Sequence, residues 1–280
     1  MSEGVLPDLA AAALRIAAQG LTLGRPLHLL AETASTNDDA KSAARVGAPH
    51  GSTWVAESQT AGRGRQGRSW VSPPGENLLF SVLARVSCPV VRLPTLALVA
   101  GLAACDAVAR AAPEARVQIK WPNDVVVISE EGTARKVAGV LVEAILRGKN
   151  VEALIVGIGI NVHAREFPEE IEHRATSIAR IAASPPDRAE VLVDVLAGLQ
   201  RDLELVAARG LGMVHTRLAR ADALAGAVVS SESGEGVAEG IDLDGRLLVR
   251  RPDGILARWG AGEVHLGNLK ACPAKLDRRK

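Results

Sequence analysis

The 280-residue chain contains no tyrosine, and four tryptophans and two phenylalanines leave an aromatic share of 2%. Proteins that grip single-stranded nucleic acid interleave aromatic stacking platforms with basic residues, and little here could build that pattern. Cysteine is scarce too. Cys88, Cys105 and Cys272 are odd in number, far apart and without a C-x-x-C pair. That argues against a disulfide framework and a cysteine-ligated zinc site, and for reduced thiols in a cytoplasmic protein. Neither sign of charge is in excess, with 33 basic residues against 32 acidic ones. No field of the whole chain steers it onto nucleic acid or an anionic membrane, so anion recognition must be local. Glu3 and Asp8 stand where a signal peptide would be basic. The most apolar run, Leu93 to Ala109, reads as too short to span a bilayer and carries Asp106, so a buried helix is expected there.

What is present is a chain 48% hydrophobic, enough for one large domain and a smaller one. No repeat with a period of solenoid length recurs. Segments Leu27–Ala31, Ser52–Glu57, Asn77–Arg85, Arg116–Lys120, Asp124–Ile128, Val137–Glu143 and Val151–Ile158 read as strands, being short, aliphatic and bounded by Gly, Pro or Asn. Helical periodicity covers Thr36–Arg45, Leu93–Ala111 and Arg188–Ala208. Strands follow one another without helices from Arg116 to Ile158, which favours an α+β fold, a mixed sheet with flanking helices, over a strictly alternating doubly wound sheet. After Ala221 the texture changes. Ser233-Gly234, Asp244-Gly245 and Asp253-Gly254 punctuate short apolar runs, the pattern of a small all-β barrel. The expected division is 1–221 (with 1–26 as an N-terminal helical extension), 222–272 and a loose tail, 273–280.

The stretch "SQTAGRGRQGRSW" (58–70) spaces Gly62, Gly64 and Gly67 as G-x-G-x-x-G. A dinucleotide turn needs a helix directly after the glycines and an acidic residue about 20 positions on. Pro73, Pro74 and Gly75 forbid the helix, and no carboxylate lies between Glu76 and Asp106. A Walker-type loop fails for want of Gly-Lys-Ser/Thr. The glycines instead free the backbone to fold closely around a ligand, and the arginine forks suit carboxylate or phosphate oxygens. The reading is a loop that orders on a small anionic ligand.

Three other stretches are loaded. In "ETASTND" (32–38), Ser35, Thr36 and Asn37 are either an ordinary helix N-cap or a hydrogen-bonding pocket for a polar ring. In "KWPND" (120–124) a hairpin turn competes with a phosphate-facing Lys120 beside an Asn123–Asp124 pair able to hold Mg²⁺. "KVAGVLVE" (136–143) sets Lys136 at the head of a buried strand, and "GIGIN" (157–161) ends a strand in glycines and Asn161, the texture of a wall behind a ligand.

In this order, "STND", "ESQTAGRGRQGRSW", "KWPNDV", "KVAGVLVE" and "GIGINV", followed by "AEGIDLDGRLLVR" and "AGEVHL", resemble the biotin–protein ligase (biotin–[acetyl-CoA-carboxylase] ligase) family over roughly residues 27 to 270. Lipoate–protein ligases share the catalytic fold but not the G-R-G-R-x-G-R-x-W loop. The resemblance implies a class II aminoacyl-tRNA synthetase-like catalytic domain followed by an SH3-like β-barrel. It implies that biotin and MgATP give biotinyl-5′-AMP and pyrophosphate, and that biotin then passes to one lysine of a carboxylase's biotin carboxyl carrier domain. Position by position, it assigns Ser35, Thr36, Asn37, Gln59, Arg63, Gly64, Arg65 and Lys136 to biotin. Gly62, Arg68, Trp70, Asn123 and Asn161 go to ATP or the adenylate, with Trp70 against the adenine. Asp124 and Asn123 are assigned to Mg²⁺, and Arg65, Lys120 and Lys136 carry catalysis. The base for the transfer step is sought among nearby carboxylates, Asp124 first. Repressor-type members place a winged-helix domain before the first strand, whereas "LPDLAAAALRIAAQGL" supplies one helix, too little for a helix-turn-helix unit. The expectation is a cytoplasmic ligase without repressor function, bound to neither nucleic acid nor membrane, monomeric or weakly dimeric.

Overall fold

The computed structural model describes residues 8–266; Cys272 and the expected tail lie outside them. Eight strands form the larger sheet: β1 (Leu27–Thr33), β2 (Thr53–Gln59), β3 (Asn77–Ala84), β4 (Cys88–Pro89), β5 (Arg116–Lys120), β6 (Asp124–Ile128), β7 (Ala134–Arg147) and β8 (Asn150–Asn161). Their order is β1-β2-β3-β8-β7-β6-β5, with β4 paired to β8. Only β1 and β2 run parallel; the other pairings are antiparallel, as the run of strands without intervening helices predicts. β3 lies at the centre and every residue of it is buried, because both faces of the sheet are covered.

One face receives α2 (Thr36–Arg45), whose Ala40 and Ala44 pack with Trp54, Leu83 and Ile155. The other receives α3 (Leu93–Ala111) and α6 (Arg188–Arg209). These two helices approach closely where α6 presents Gly198, since a Cβ there would stand 3.0 Å from that of Ala103. The 3₁₀ turn Val90–Arg92 feeds straight into α3, so the apolar segment runs 22 residues, long enough to cross a membrane. Its length therefore excludes nothing, contrary to the sequence reading. Twelve residues of α3 are buried, which makes it a core helix of this fold. Both Cys88 and Cys105 are buried, and burial pushes the Cys105 thiol up to about 12, which leaves it unreactive.

α1 (Ala12–Ala18) packs on α6 through Ala12 and Ile16. The short helices α4 (Glu169–Glu172), α5 (Ile178–Ile181) and α7 (His215–Ala221) complete the covering. β7 and β8 run past their predicted ends, because pairing with β6 holds Ala134–Lys136, pairing with β8 holds Ala144–Arg147, and pairing with β3 and β7 carries β8 through Gly159. A second, antiparallel sheet orders β9 (Val228–Ser231), β10 (Gly234–Ile241), β11 (Leu247–Arg250), β12 (Leu256–Trp259) and β13 (His265–Leu266) as β12-β11-β10-β9-β13. Its turns fall at the predicted glycines. Gly245 (φ +80°) lies against Thr95 and Leu98 of α3, and its carbonyl accepts a 2.9 Å bond from the Trp121 indole. The β10–β11 turn is thereby seated beside the β5–β6 turn.

Candidate active site

One cleft, with a cavity of about 150 Å³, opens between the β2–β3 loop, the central strands and the second sheet. At one end stands the start of α2. Ser35 occupies the N-cap position in extended backbone, yet its side chain caps nothing. The Thr36 amide is satisfied instead by Gln59 Oε1 at 2.8 Å, so a β2 side chain does the capping. Thr36 Oγ1 lies 2.7 Å from Ser81 Oγ, Ser81 donates to Asn37 Oδ1 at 2.6 Å, and Asn37 Nδ2 donates to Glu143 at 2.8 Å. Lys41, one helical turn beyond Asn37, closes the chain on Glu143. Thr36, Asn37 and Ser81 are at most 4% exposed, so every one of these polar groups depends on its neighbour. Asn37 fits only because Gly157 lacks a side chain; a Cβ there would stand 2.2 Å from its Oδ1.

The Arg/Gly loop folds over the cleft as a narrow hairpin. Trp70 N–H donates to Gly62 carbonyl, Gly64 N–H to Arg68 carbonyl, and Arg63 bridges to Ser69. Gln66 (φ 57°, ψ 33°) and Gly67 (φ 73°) both adopt the left-handed region at its tip, the geometry of a type I′ turn, which glycine adopts freely and glutamine at a cost of about 1 kcal/mol. Arg63 is held by Asp38 at 2.5 and 2.8 Å. Arg68 pairs with Glu263 in the connection between β12 and β13, tying the loop to that connection across the cleft. The Trp70 indole lies over paired Gly139 and Gly159, where a Cβ would come within 3.0 and 2.6 Å of the ring. Its Nε1 is buried without a partner.

The cationic end comes from β5 to β7. Lys136 Nζ is 2.7 Å from Asp124 and 5.3 Å from the Trp70 ring centre. Arg65 donates to Asn123 Oδ1 at 3.1 Å, and the Asn123 amide is fixed by the Val140 carbonyl at 3.1 Å. Burial lowers the Arg65 guanidinium from its ordinary value, and the Asp124 charge opposes this only in part. Lys120 is likewise lowered by burial, with Asp124 and Glu263 offsetting it. Half-buried cations short of counter-charge are a site prepared for an anion.

The structure thus gathers Ser35, Thr36, Asn37, Gln59, Arg63, Gly64 and Arg65 on one cleft. Arg68, Trp70, Lys120, Asn123, Asp124 and Lys136 join them there. It does not bring Gly62 or Asn161 into that lining. Gly62 packs under the loop neck, where a Cβ would meet the Trp70 carbonyl at 2.5 Å, and Asn161 spends its amide on the Thr176 carbonyl at 3.0 Å. Both lie beside that lining rather than in it. Sequence reasoning missed Ser81, Glu143, Lys41 and Glu263. A lone serine in the apolar strand "NLLFSVLA" was a readable signal; the others needed the fold. Arg188, 3% exposed, was missed as well. It binds Glu57 at 2.6 and 3.0 Å and Asp8 at 2.7 Å, while Glu57 also holds Gly75 N–H at the end of the loop.

Among the described residues no three His, Cys, Asp or Glu side chains cluster for a resident metal. Asp124 and Asn123 provide two oxygen donors, the number with which Mg²⁺ carried on phosphates is met.

The chain falls in the class of biotin- and lipoate-type protein ligases, whose family model matches its sheet-bearing part. The solved biotin protein ligase from Aquifex aeolicus in complex with biotin and ATP superposes with a TM-score of 0.71 at 33% identity, covering 86% of this chain and 99% of that one. The Biotin/lipoate A/B protein ligase family model matches residues 30–161, and that of the biotin protein ligase C terminal domain matches residues 230–267. The biotin--[acetyl-CoA-carboxylase] ligase of Paracoccus denitrificans is 35% identical over 81% of this chain and 95% of its own length. The chain belongs to the biotin protein ligase family. The bifunctional ligase/repressor BirA of Bacillus subtilis is 37% identical over 58% of this chain, but that match spans only 49% of the relative, about half its length.

Proposed function

We propose that the protein is a biotin–protein ligase with 1–221 as its catalytic part and 222–272 as a small second domain. The observation that carries this reading is the division of a single cleft. Neutral hydroxyl and amide groups stand at the α2 end, as a polar, uncharged ring requires, and Arg65, Lys120 and Lys136 stand at the other, as a carboxylate and a triphosphate require.

In the first step a biotin carboxylate oxygen bonds to the α-phosphorus of ATP while the bond to the bridging oxygen breaks and pyrophosphate leaves. Two anions must meet for this. Lys136 and Arg65 offset the repulsion where the carboxylate arrives, and Lys120 does so toward the phosphates. Asp124 and Asn123 would hold Mg²⁺, which supplies further charge neutralisation on the phosphates when bound. Little covalent work falls to the protein; it orients and screens. The loop from Gly62 to Trp70 keeps water from the mixed anhydride, and Trp70 offers the adenine an aromatic face beside Lys136. In the second step the neutral amine of a carrier-domain lysine attacks the acyl carbon and AMP leaves. The amine's proton passes to a carboxylate, for which Asp124 is best placed once Lys136 turns to the substrate. The acceptor is a biotin carboxyl carrier domain of an acyl-CoA carboxylase. The enzyme works in the cytoplasm as a monomer or weak homodimer, a point sedimentation decides.

The test is biotin-dependent ATP–pyrophosphate exchange, followed by labelling of a purified carrier domain, with lipoate as the competing substrate. Lys136→Ala should lower exchange by about 100-fold or more. Arg65→Ala should release biotinyl-5′-AMP faster than it is transferred. If both variants label the carrier at the wild-type rate, the site assignment is wrong.

A further inference from the structure

The buried chain from Lys41 to Thr36 has only one arrangement of its protons. Glu143, ion-paired with Lys41, accepts and cannot donate, so the Asn37 group 2.8 Å away must be its NH₂. Asn37 Oδ1 then faces Ser81, and an amide oxygen only accepts, so the Ser81 hydroxyl spends its single proton there at 2.6 Å. In its 2.7 Å contact with Thr36, Ser81 can therefore only accept, and Thr36 must donate. The Thr36 hydroxyl is left with lone pairs alone for whatever enters the cleft. Gln59 Oε1, which accepts the Thr36 amide at 2.8 Å, also lies 3.2 Å from Thr36 Oγ1 as a longer, second acceptor for the same proton, so that proton is spent within the protein either way.

We propose that Glu143, steadied by Lys41, is a positioning residue that sets the polarity of this chain, so that Thr36 accepts from an N–H of the ligand's ring and repels a ring oxygen at that place. The proposal rests on the biotin reading of the cleft, in which the ring is a cyclic urea with two N–H donors. Neither Glu143 nor Lys41 need touch the substrate. Replacing Glu143 by glutamine keeps shape but supplies a donor. Asn37 can then turn over, the chain can run backwards, and Thr36 can offer its proton to the ligand.

The experiment measures biotin affinity by calorimetry on the intact protein, alongside analogues in which one or the other ureido N–H is replaced by oxygen. In the wild type, the analogue that places oxygen against Thr36 should bind at least about tenfold more weakly than biotin, the size of one lost hydrogen bond plus an opposed lone pair. In Glu143→Gln that ratio should shrink toward unity, with KM for ATP unchanged. Ser81→Ala removes the nearer acceptor of the Thr36 proton without touching the Lys41–Glu143 pair, but leaves Gln59 Oε1 at 3.2 Å, so it should shrink the ratio only in part. A retained tenfold ratio in both variants, with cooperative thermal melts like the wild type, overturns the proposal but leaves the ligase reading standing. Failure of the wild type to bind biotin overturns both.

Discussion

Gly157→Ala puts one methyl group where the structure has no room for it. The Cβ would stand 2.2 Å from Asn37 Oδ1, 2.9 Å from its Cγ and 3.1 Å from its Nδ2. A carbon and an oxygen need about 3.3 Å or more, so one of the two must move by roughly an ångström. Gly157 cannot move freely, because it is paired with Ser81 on one side and Leu141 on the other. Asn37 must yield, and with it go a 2.6 Å bond from Ser81 and a 2.8 Å bond to Glu143. Overpacking costs about 1–3 kcal/mol, and the two bonds add about 1 kcal/mol each, so a loss of about 3–5 kcal/mol is expected. Urea denaturation followed by far-UV circular dichroism measures it. The decisive control is the double-mutant cycle with Asn37→Ala. Removing the side chain that is struck should make Gly157→Ala nearly free, giving a coupling of about 2 kcal/mol or more. If the two losses simply add, the contact inferred between strand and helix is wrong.

Other outcomes follow from the charged groups. Arg188→Met leaves the Glu57 carboxylate buried without its cation and should cost about 3–5 kcal/mol in the same denaturation assay; it should also loosen the Arg/Gly loop, measurable as faster hydrogen exchange at Gly75, whose N–H Glu57 holds. The Arg188 guanidinium keeps the Asp8 carboxyl below its ordinary range. Its folded pKa is depressed, so the stability it brings is complete above the unfolded value and is lost as pH falls from there through the folded one; Asp8→Asn should flatten that acid limb of stability against pH. Burial lowers Lys120, so its charge, and with it adenylation, should fail at a pH below that of an ordinary lysine. Lys120→Arg should move this alkaline limb of the exchange activity upward, while an unmoved limb would take Lys120 out of the charge screen.

Much of this protein is legible along the chain. Pro94 opening an apolar run fixes α3, and the paired strands Arg116–Lys120 and Asp124–Ile128 follow from aliphatic runs flanking Pro122-Asn123. Local signals suffice there because the backbone's preferences and its burial agree. The loaded stretches were legible too, since arginines among glycines, or a lysine heading a buried strand, contradict what a core or a plain loop would use. The strand ends were less so. β8 runs on past Ile158 through Gly159 because β3 and β7 hydrogen-bond it on both sides, and no neighbour along the sequence reveals that.

The sequence alone determined which residue types would meet the anions and that a mixed sheet would carry them. Only the tertiary structure decided which polar groups would satisfy one another. Asn37 meets Glu143 across 106 positions and Glu57 meets Arg188 across 131. Ser35 reads as a helix cap, yet Gln59 from β2 takes that bond. Gly62 and Asn161 read as ligand groups, and the fold sets them against the Trp70 carbonyl and the Thr176 carbonyl, outside the cleft lining. Hydrophobic patterning and turn chemistry act between near neighbours and so are written locally. A buried hydrogen bond exists only when two segments arrive within about 3 Å of each other, and the packing of α2 on one face of the sheet and of α6 on the other is what brings these together.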